Sequence, residues 1–557
     1  MAKLLFIISF LFTSHLFSQT NYATLLDHKN IPHGISPQQT YFSSCWGWVS
    51  PEGKEYAFIG CATGTSIYAI EDDTLREIQF VTGPMATYAY REFKTYKNYL
   101  YAVSEGGSGV QIIDLSQLPD TAILVKNFNY TRNGKNILKS HTVTLADGYL
   151  YLNGCANWSP GGMVIFSLKA DPTTPQYVGQ YQPDYIHDSY VKNDTIFGAA
   201  IYWGGGLYIA DVSDKSNPTT INLISYDGSG THHAWETIDG NYALTTDEIG
   251  TVNNLKIWDF KNPGSGPPYT PTAQYSANPT DIIHNVHGRG NYAYVSHYGA
   301  GARVVDIHNP TQPNEVGYYD TYPGSVNDYE GCWAVYPYYF SNKWIASDMN
   351  IGLYLMDFSL RENRVRPNLL TPENNVVIDS LNSTFSWTSS ANQSEDPHWY
   401  EIRISGNNFS KTFKTLETSF ILTDFSDFVN DETYTWEVYV VDEFTEVKSL
   451  NTFQFVFNGI VGVSENINDK RSFSVLQNYP NPFNPVTKIN FSLSENKNVT
   501  LKIYNSLGQE IETLLDGFYS QGNYEIVWDA SRFASGIYFY KLTSGNFIEM
   551  KKMILNK

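Results

Sequence analysis

Gly206-Leu207-Tyr208-Ile209-Ala210-Asp211 is a small residue, an alternating run of β-forming side chains and then an acid. Close variants stand at Gly109-Val110-Gln111-Ile112-Ile113-Asp114 and Gly352-Leu353-Tyr354-Leu355-Met356-Asp357, and further copies end at Glu71, Ser167, Asp259 and Asp306. Successive copies end 43, 53, 44, 48, 47 and 51 residues apart. A second strand of aromatic-rich alternation precedes the motif, as in Tyr99-Leu100-Tyr101 and Tyr292-Ala293-Tyr294. Another strand follows it, as in Ala122-Ile123-Leu124-Val125. A repeat of this length built only of short strands predicts a β-propeller, here with seven blades. The last copy lacks a following strand before Pro367, and Tyr22–His28 is expected to supply it. Closing the ring in this way removes an exposed sheet edge.

The 36 basic and 56 acidic residues leave a net charge of −20. Such a chain repels nucleic acid and anionic membrane, so neither is expected as a partner. At the N-terminus, Lys3, the apolar run Leu4–Phe12 and the small residue Ser18 read as a signal peptide over 1–18. Cleavage would leave Gln19 first, so lipid anchoring through a cysteine is not expected. No later run reaches the roughly 18 apolar residues of a transmembrane segment.

Export permits disulfides. Cys45 and Cys61 flank a hairpin that turns near Ser50–Lys54, which places them opposite each other across the ladder. A Cys45–Cys61 bridge is expected on that register, with two free buried thiols as the alternative. Cys155 and Cys332 have no evident partner.

Beyond a propeller over 19–365, the chain changes character. Residues 366–458 carry Ser383-Thr384-Phe385-Ser386-Trp387 and Tyr434-Thr435-Trp436-Glu437-Val438 with no propeller repeat. They read as a small β-sandwich resembling fibronectin type III modules, expected to act as a spacer. A polar linker over 459–472 follows. Residues 473–557 open on Asn478-Tyr479-Pro480-Asn481-Pro482-Phe483-Asn484-Pro485 and continue through Val499-Thr500-Leu501-Lys502-Ile503 to Gly536-Ile537-Tyr538-Phe539-Tyr540. The fold class is therefore all-β: a seven-bladed propeller, a sandwich and a small C-terminal β-sandwich.

Residues 473–557 resemble the type A C-terminal sorting domain of the type IX secretion system. The resemblance implies that secretion machinery as a partner, passage through the outer membrane, and an extracellular or cell-surface location. The propeller motifs resemble LVIVD repeats. Trp46-Gly47-Trp48-Val49, Ile186-His187-Asp188-Ser189-Tyr190-Val191, Thr245-Thr246-Asp247-Glu248 and Gly317-Tyr318-Tyr319-Asp320 are similar to the choice-of-anchor B family of secreted proteins. That family resemblance implies a propeller joined to varied anchors and no defined activity. Ser167 and Glu71 depart from the acid that usually closes the repeat.

The residues that open each innermost strand, aligned on the strand that follows, are Ser43, Arg91, His141, His187, His232, His284 and Glu330. Innermost strands surround the channel of a propeller. Glu105, Asp247, Glu248, His297 and Asp348 end the second strands, and antiparallel pairing puts them at the same mouth. His187-Asp188 adds an adjacent pair. His141, His187, His232 and His284 are the candidate metal ligands, because imidazole with carboxylate suits zinc and similar ions. The alternative is a polar channel satisfied by water and backbone. No cofactor is required by the sequence; a divalent metal is the one considered. No nucleophile elbow or phosphate loop is present. The first functional reading is binding of an extracellular glycan or protein, with Trp158, Tyr202, Trp203 and Tyr298 lining the mouth. The alternatives are a metal-dependent hydrolase or lyase and a structural surface-layer component.

Overall fold

The computed structural model describes residues 21–458 and 474–557, apart from 37–38, 85–87, 89, 138, 156–157, 203, 250–252, 264–266, 325–328, 379–382, 391–396, 476, 494–495, 506–508 and 546. The expected signal peptide, the whole of the expected linker and Trp203 lie outside the described residues. Two compact units divide near residue 459.

The first unit contains seven four-stranded antiparallel sheets. Their innermost strands begin at Phe42, Arg91, Thr142, Asp188, Thr231, Val286 and Cys332. Each touches the next, and the last returns to the first. The ring closes as expected: Ala23–Lys29 pairs with Gly352–Phe358 as the outer strand of blade 7. Apolar cores lie between blades. Tyr101 and Ile112 of blade 2 pack on Leu150, Val164 and Phe166 of blade 3, and Tyr294 and Val304 of blade 6 pack on Trp344 and Met356 of blade 7. This arrangement leaves the central channel free for polar side chains. A two-stranded hairpin, Tyr130–Arg132 with Lys135–Ile137, belongs to no blade. It accounts for the longest repeat spacing.

The hairpin of Cys45 and Cys61 turns where expected, with Ser50 and Lys54 paired through their backbones. A bulge between Phe42 and Cys45 shifts the register, so Cys45 faces Ile59 and Cys61 faces Phe42. The expected disulfide is therefore absent, and all four cysteines are buried free thiols. Cys45 Sγ lies 3.5 Å from the Ala334 carbonyl, and Cys61 Sγ lies 3.6 Å from Ser66 Oγ.

Two further sheets complete the first unit. One joins Leu369–Thr371, Ser383–Trp387 and Ser419–Leu422; the other centres on Glu432–Val441, flanked by Trp399–Gly406 and Phe453–Phe457. Phe385, Trp436 and Phe455 are buried. The second unit has two sheets of three and four strands around Ile489, Phe491, Leu501, Trp528 and Tyr540. Its lead-in is pinned by Asn478, whose Nδ2 donates to Thr487 Oγ1 at 2.9 Å and whose N–H donates to the Tyr540 hydroxyl at 2.9 Å.

Candidate metal centre in the propeller channel

Strand alternation sends neighbouring residues to opposite faces, yet His232 and His233 both turn into the channel. A bulge explains it. Thr231 faces Asp247 and His233 faces Thr246, so His232 is the extra residue. His141, His187 and His284 stand just ahead of their strands. Their N–H groups donate to the carbonyls of Asn153, Ala199 and Ser296 at 2.9, 2.8 and 2.9 Å. Four successive blades thus present an imidazole at one level.

These rings form an arc. Centroids are 3.7 Å apart for His141–His187, 4.5 Å for His187–His232 and 4.1 Å for His232–His284. Two sets of three ligand atoms lie within 4.8 Å of one another: His141, His187 and His232, and His232, Glu248 and His284. Bonds of ~2.1 Å in a tetrahedral site need ligand atoms about 3.4 Å apart, which modest side-chain rotation reaches. The surroundings already choose tautomers. His284 Nδ1 donates to the Trp333 carbonyl at 2.5 Å, which leaves Nε2 as its lone-pair nitrogen, 3.8 Å from Glu248. His141 Nδ1 hydrogen-bonds Glu105, which likewise frees Nε2. A carboxylate or carbonyl behind the ring is the usual way a ligand imidazole is oriented. Both nitrogens of His187 and Nδ1 of His232 are buried without a partner.

Burial holds His187 and His232 well below the ordinary imidazole pKa, helped by the neighbouring imidazoles, and holds His284 at about 3. Neutral imidazole is the metal-binding form. Burial opposes charge on His141 as well, but the bond to Glu105 and its charge outweigh this and raise the pKa. Glu105 is lowered reciprocally, its bond to His141 outweighing burial. Burial raises Glu248, which accepts the Tyr298 hydroxyl at 2.8 Å. Gly154 leaves room for His141: its φ is +61°, and a Cβ there would lie 2.7 Å from the His141 Cβ.

Aromatic side chains collar this floor. Tyr88 donates to Glu105 at 3.2 Å, and Tyr90 stacks on Trp333, which packs against His284. Tyr185 packs on His187 and on the exposed Tyr202. Of the aromatics expected at the mouth, Tyr202 and Tyr298 join the collar; Trp158 lies in the core between blades 2 and 3. Sequence reasoning missed Tyr88, Tyr90, Tyr185 and Trp333, which sit outside the repeat motif.

Several expected ring members lie elsewhere. Arg91 faces Ser104 with no bulge beside it, and its guanidinium donates to the Cys61 carbonyl at 3.1 Å between blades. Asp247 is buried against Lys256 at 2.5 Å and Tyr226. His297 meets Ser276 at 3.3 Å, and Asp348 accepts from Thr321 at 3.1 Å. Glu330 accepts the Tyr322 hydroxyl at 2.7 Å. The cause is positional. Asp247, His297 and Asp348 are the last residues of their strands and turn to the connector from the preceding blade, at Tyr226, Ser276 and Thr321. The next position, held by Glu248 and Tyr298 and by Glu105 in blade 2, faces the channel.

Asp188 points below the arc. It lies 3.7 Å from His233, which packs on His287 at 5.0 Å, with Lys94 4.0 Å above the Trp46 ring. Burial pushes the Asp188 carboxyl up to about 7 and lowers the Lys94 amine. The sandwich closes this level. Phe444 stacks on Tyr338 at 3.8 Å and on Trp235 at 5.9 Å, with its edge toward Trp46. Tyr190 donates to Glu443 at 2.7 Å, and Arg364 pairs with Asp442 at 2.5 Å. The sandwich thus packs into the propeller, a role the spacer reading did not include.

Residues 201–225 and 284–321 match the LVIVD repeat, the second stretch opening on His284 itself. Residues 477–556 match the Secretion system C-terminal sorting domain. No curated protein matches the chain. Among the described residues no helix is long and apolar enough to cross a membrane. The chain carries LVIVD repeats in a propeller-like array of blades and ends in a type IX sorting domain, which makes it a secreted or cell-surface protein.

Proposed function

We propose that this secreted protein is a surface binding protein whose propeller mouth holds one divalent transition metal ion and presents it to an extracellular glycan or protein ligand. The observation that carries this reading is the arc of four neighbouring imidazoles, in which both nitrogens of His187 and Nδ1 of His232 are buried without a partner and the rings of His141 and His284 are oriented from behind by Glu105 and the Trp333 carbonyl. An unpartnered buried polar group is costly, and an ion accepting those lone pairs removes the cost. Three protein ligands leave a fourth position for the ligand. The aromatic collar supplies stacking surface around it.

The same vacancy supports a second reading, metal-assisted hydrolysis, because a water in that position is activated by the ion. Elemental analysis of the purified full-length protein, before and after a chelator, tests the metal. About one equivalent of zinc or a similar ion, removed by chelator and restored on adding zinc, is the expected result. Protein that takes up no metal from a zinc solution would overturn the reading. Chelator-sensitive turnover of chromogenic esters would move the assignment from binding to hydrolysis.

A further inference from the structure

We infer that the hairpin between blades 2 and 3 builds a second binding site, separate from the channel, for a carboxylate-bearing sugar of the uronic acid type. The hairpin Tyr130–Arg132/Lys135–Ile137 is an insertion in the repeat. Insertions in repeat proteins project from one face and often carry binding. It borders a cavity of about 210 Å³.

The chemistry of the walls points to the ligand. Arg132 and Lys135 reach the cavity from the hairpin, and among its described lining residues none is acidic. In a chain of net charge −20, two cations without a lining carboxylate make a local anion site. Arg132 is held in place. Its guanidinium lies 4.2 Å above the Tyr177 ring, and Tyr130 stacks on Tyr177 at 5.4 Å with an interplanar angle of 4°. A guanidinium fixed by stacking keeps its N–H fork for a carboxylate, which it binds bidentately.

The remaining walls suit hydroxyls and a sugar ring. Gln180, Ser159 and Asn133 offer donors and acceptors at the rim. Gln182 is oriented by its own bonds, accepting from the Gly162 N–H at 2.9 Å and donating to the Met163 carbonyl at 3.1 Å. Trp158 is only 6% exposed, lines the cavity, and has an indole N–H without a partner. Indole N–H groups that are buried normally find one.

The test is calorimetric titration of the full-length protein with a glucuronate-bearing oligosaccharide and with its neutral glucose counterpart. The uronate is expected to bind, with the neutral sugar at least tenfold weaker. Arg132→Gln is expected to weaken uronate binding about tenfold, and Lys135→Gln about threefold. Both positions are exposed on the hairpin, and circular dichroism checks that the variants are folded. Equal binding of the neutral sugar, unchanged affinity in both variants, or no heat with either sugar overturns the inference. Tighter binding of a sugar phosphate than of the uronate also overturns it, since the site would then be a phosphate site. Loss of the channel metal by chelation is expected to leave uronate binding unchanged, so failure of this site and failure of the channel reading are read separately.

Discussion

The channel holds two layers of histidine built by the same strands, and they are chemically unlike. His232 belongs to the upper layer and His233, its neighbour in sequence, to the lower. Both layers contain unpartnered buried imidazole nitrogens: His187 and His232 above, His233 and His287 below. The upper layer brings three ligand atoms within 4.8 Å twice over. The lower layer pairs His233 with Asp188 at 3.7 Å, places the Lys94 ammonium nearby and is covered by Phe444. Burial pushes the Asp188 carboxyl there up to about 7, toward the neutral acid that binds a metal poorly, and Phe444 covers the level. Unsatisfied imidazole is thus not by itself the mark of a metal site. Convergence of lone pairs decides it.

Adjacent substitutions break this comparison most sharply. His232→Ala removes the residue shared by both ligand sets and is expected to weaken zinc binding at least a hundredfold in a competition titration against a chromogenic chelator. His233→Ala, one residue on, is expected to leave zinc affinity within threefold. Equal losses in the two variants would show that the layers act as one site, and the distinction drawn between them would fail.

The next effect is smaller because it acts through a ligand. Glu105→Gln keeps the shape of the side chain but removes the charge that orients His141. Partners behind a metal ligand are typically worth 10–100-fold in affinity, so a loss of about tenfold or more is expected by the same titration. Asp188→Asn, in the lower layer, is expected to change zinc affinity less than threefold. An Asp188→Asn loss as large as that of Glu105→Gln would place Asp188 behind the metal as well.

Much of the fold was legible because a propeller repeats its information. Seven copies of one motif fix seven blades, and the missing outer strand of blade 7 identifies Ala23–Lys29 as its replacement. The longest spacing even marks the extra hairpin of the uronate site. The channel residues were half legible, for a reason of register. Reading the ends of second strands as one group mixed Glu105 and Glu248, which face the channel, with Asp247, His297 and Asp348, which turn to the connector from the preceding blade. One residue of offset reverses the face in a strand. Bulges are the second reason. The bulge after Phe42 separates Cys45 from Cys61, and the bulge after Thr231 puts His232 and His233 on one side. Neither leaves a signature in the pattern of residue types. The contact of Phe444 with Trp235 spans more than two hundred residues and two modules, so no local pattern announces it.

That contact provides the smallest and most discriminating prediction. Phe444 is half-buried, stacking on Tyr338 and Trp235 at the closed end of the channel. Full burial of a phenylalanine is worth about 3–5 kcal/mol on truncation. A ring with one side still wet should lose less, so Phe444→Ala is expected to cost about 1–2 kcal/mol in urea unfolding. Its zinc affinity is expected to stay within twofold, because the ring touches only the lower layer. Phe444→Leu, which keeps apolar bulk but not stacking, should recover about half of the lost stability. If Phe444→Ala instead weakened zinc binding tenfold, the lower layer would be transmitting its packing to the ligands above, and the plug would have to be counted as part of the site. If stability did not change at all, the sandwich would be docked by its polar contacts, such as the Tyr190–Glu443 and Arg364–Asp442 pairs and the Lys448 N–H to the Pro51 carbonyl, and the spacer reading of that module would regain its ground.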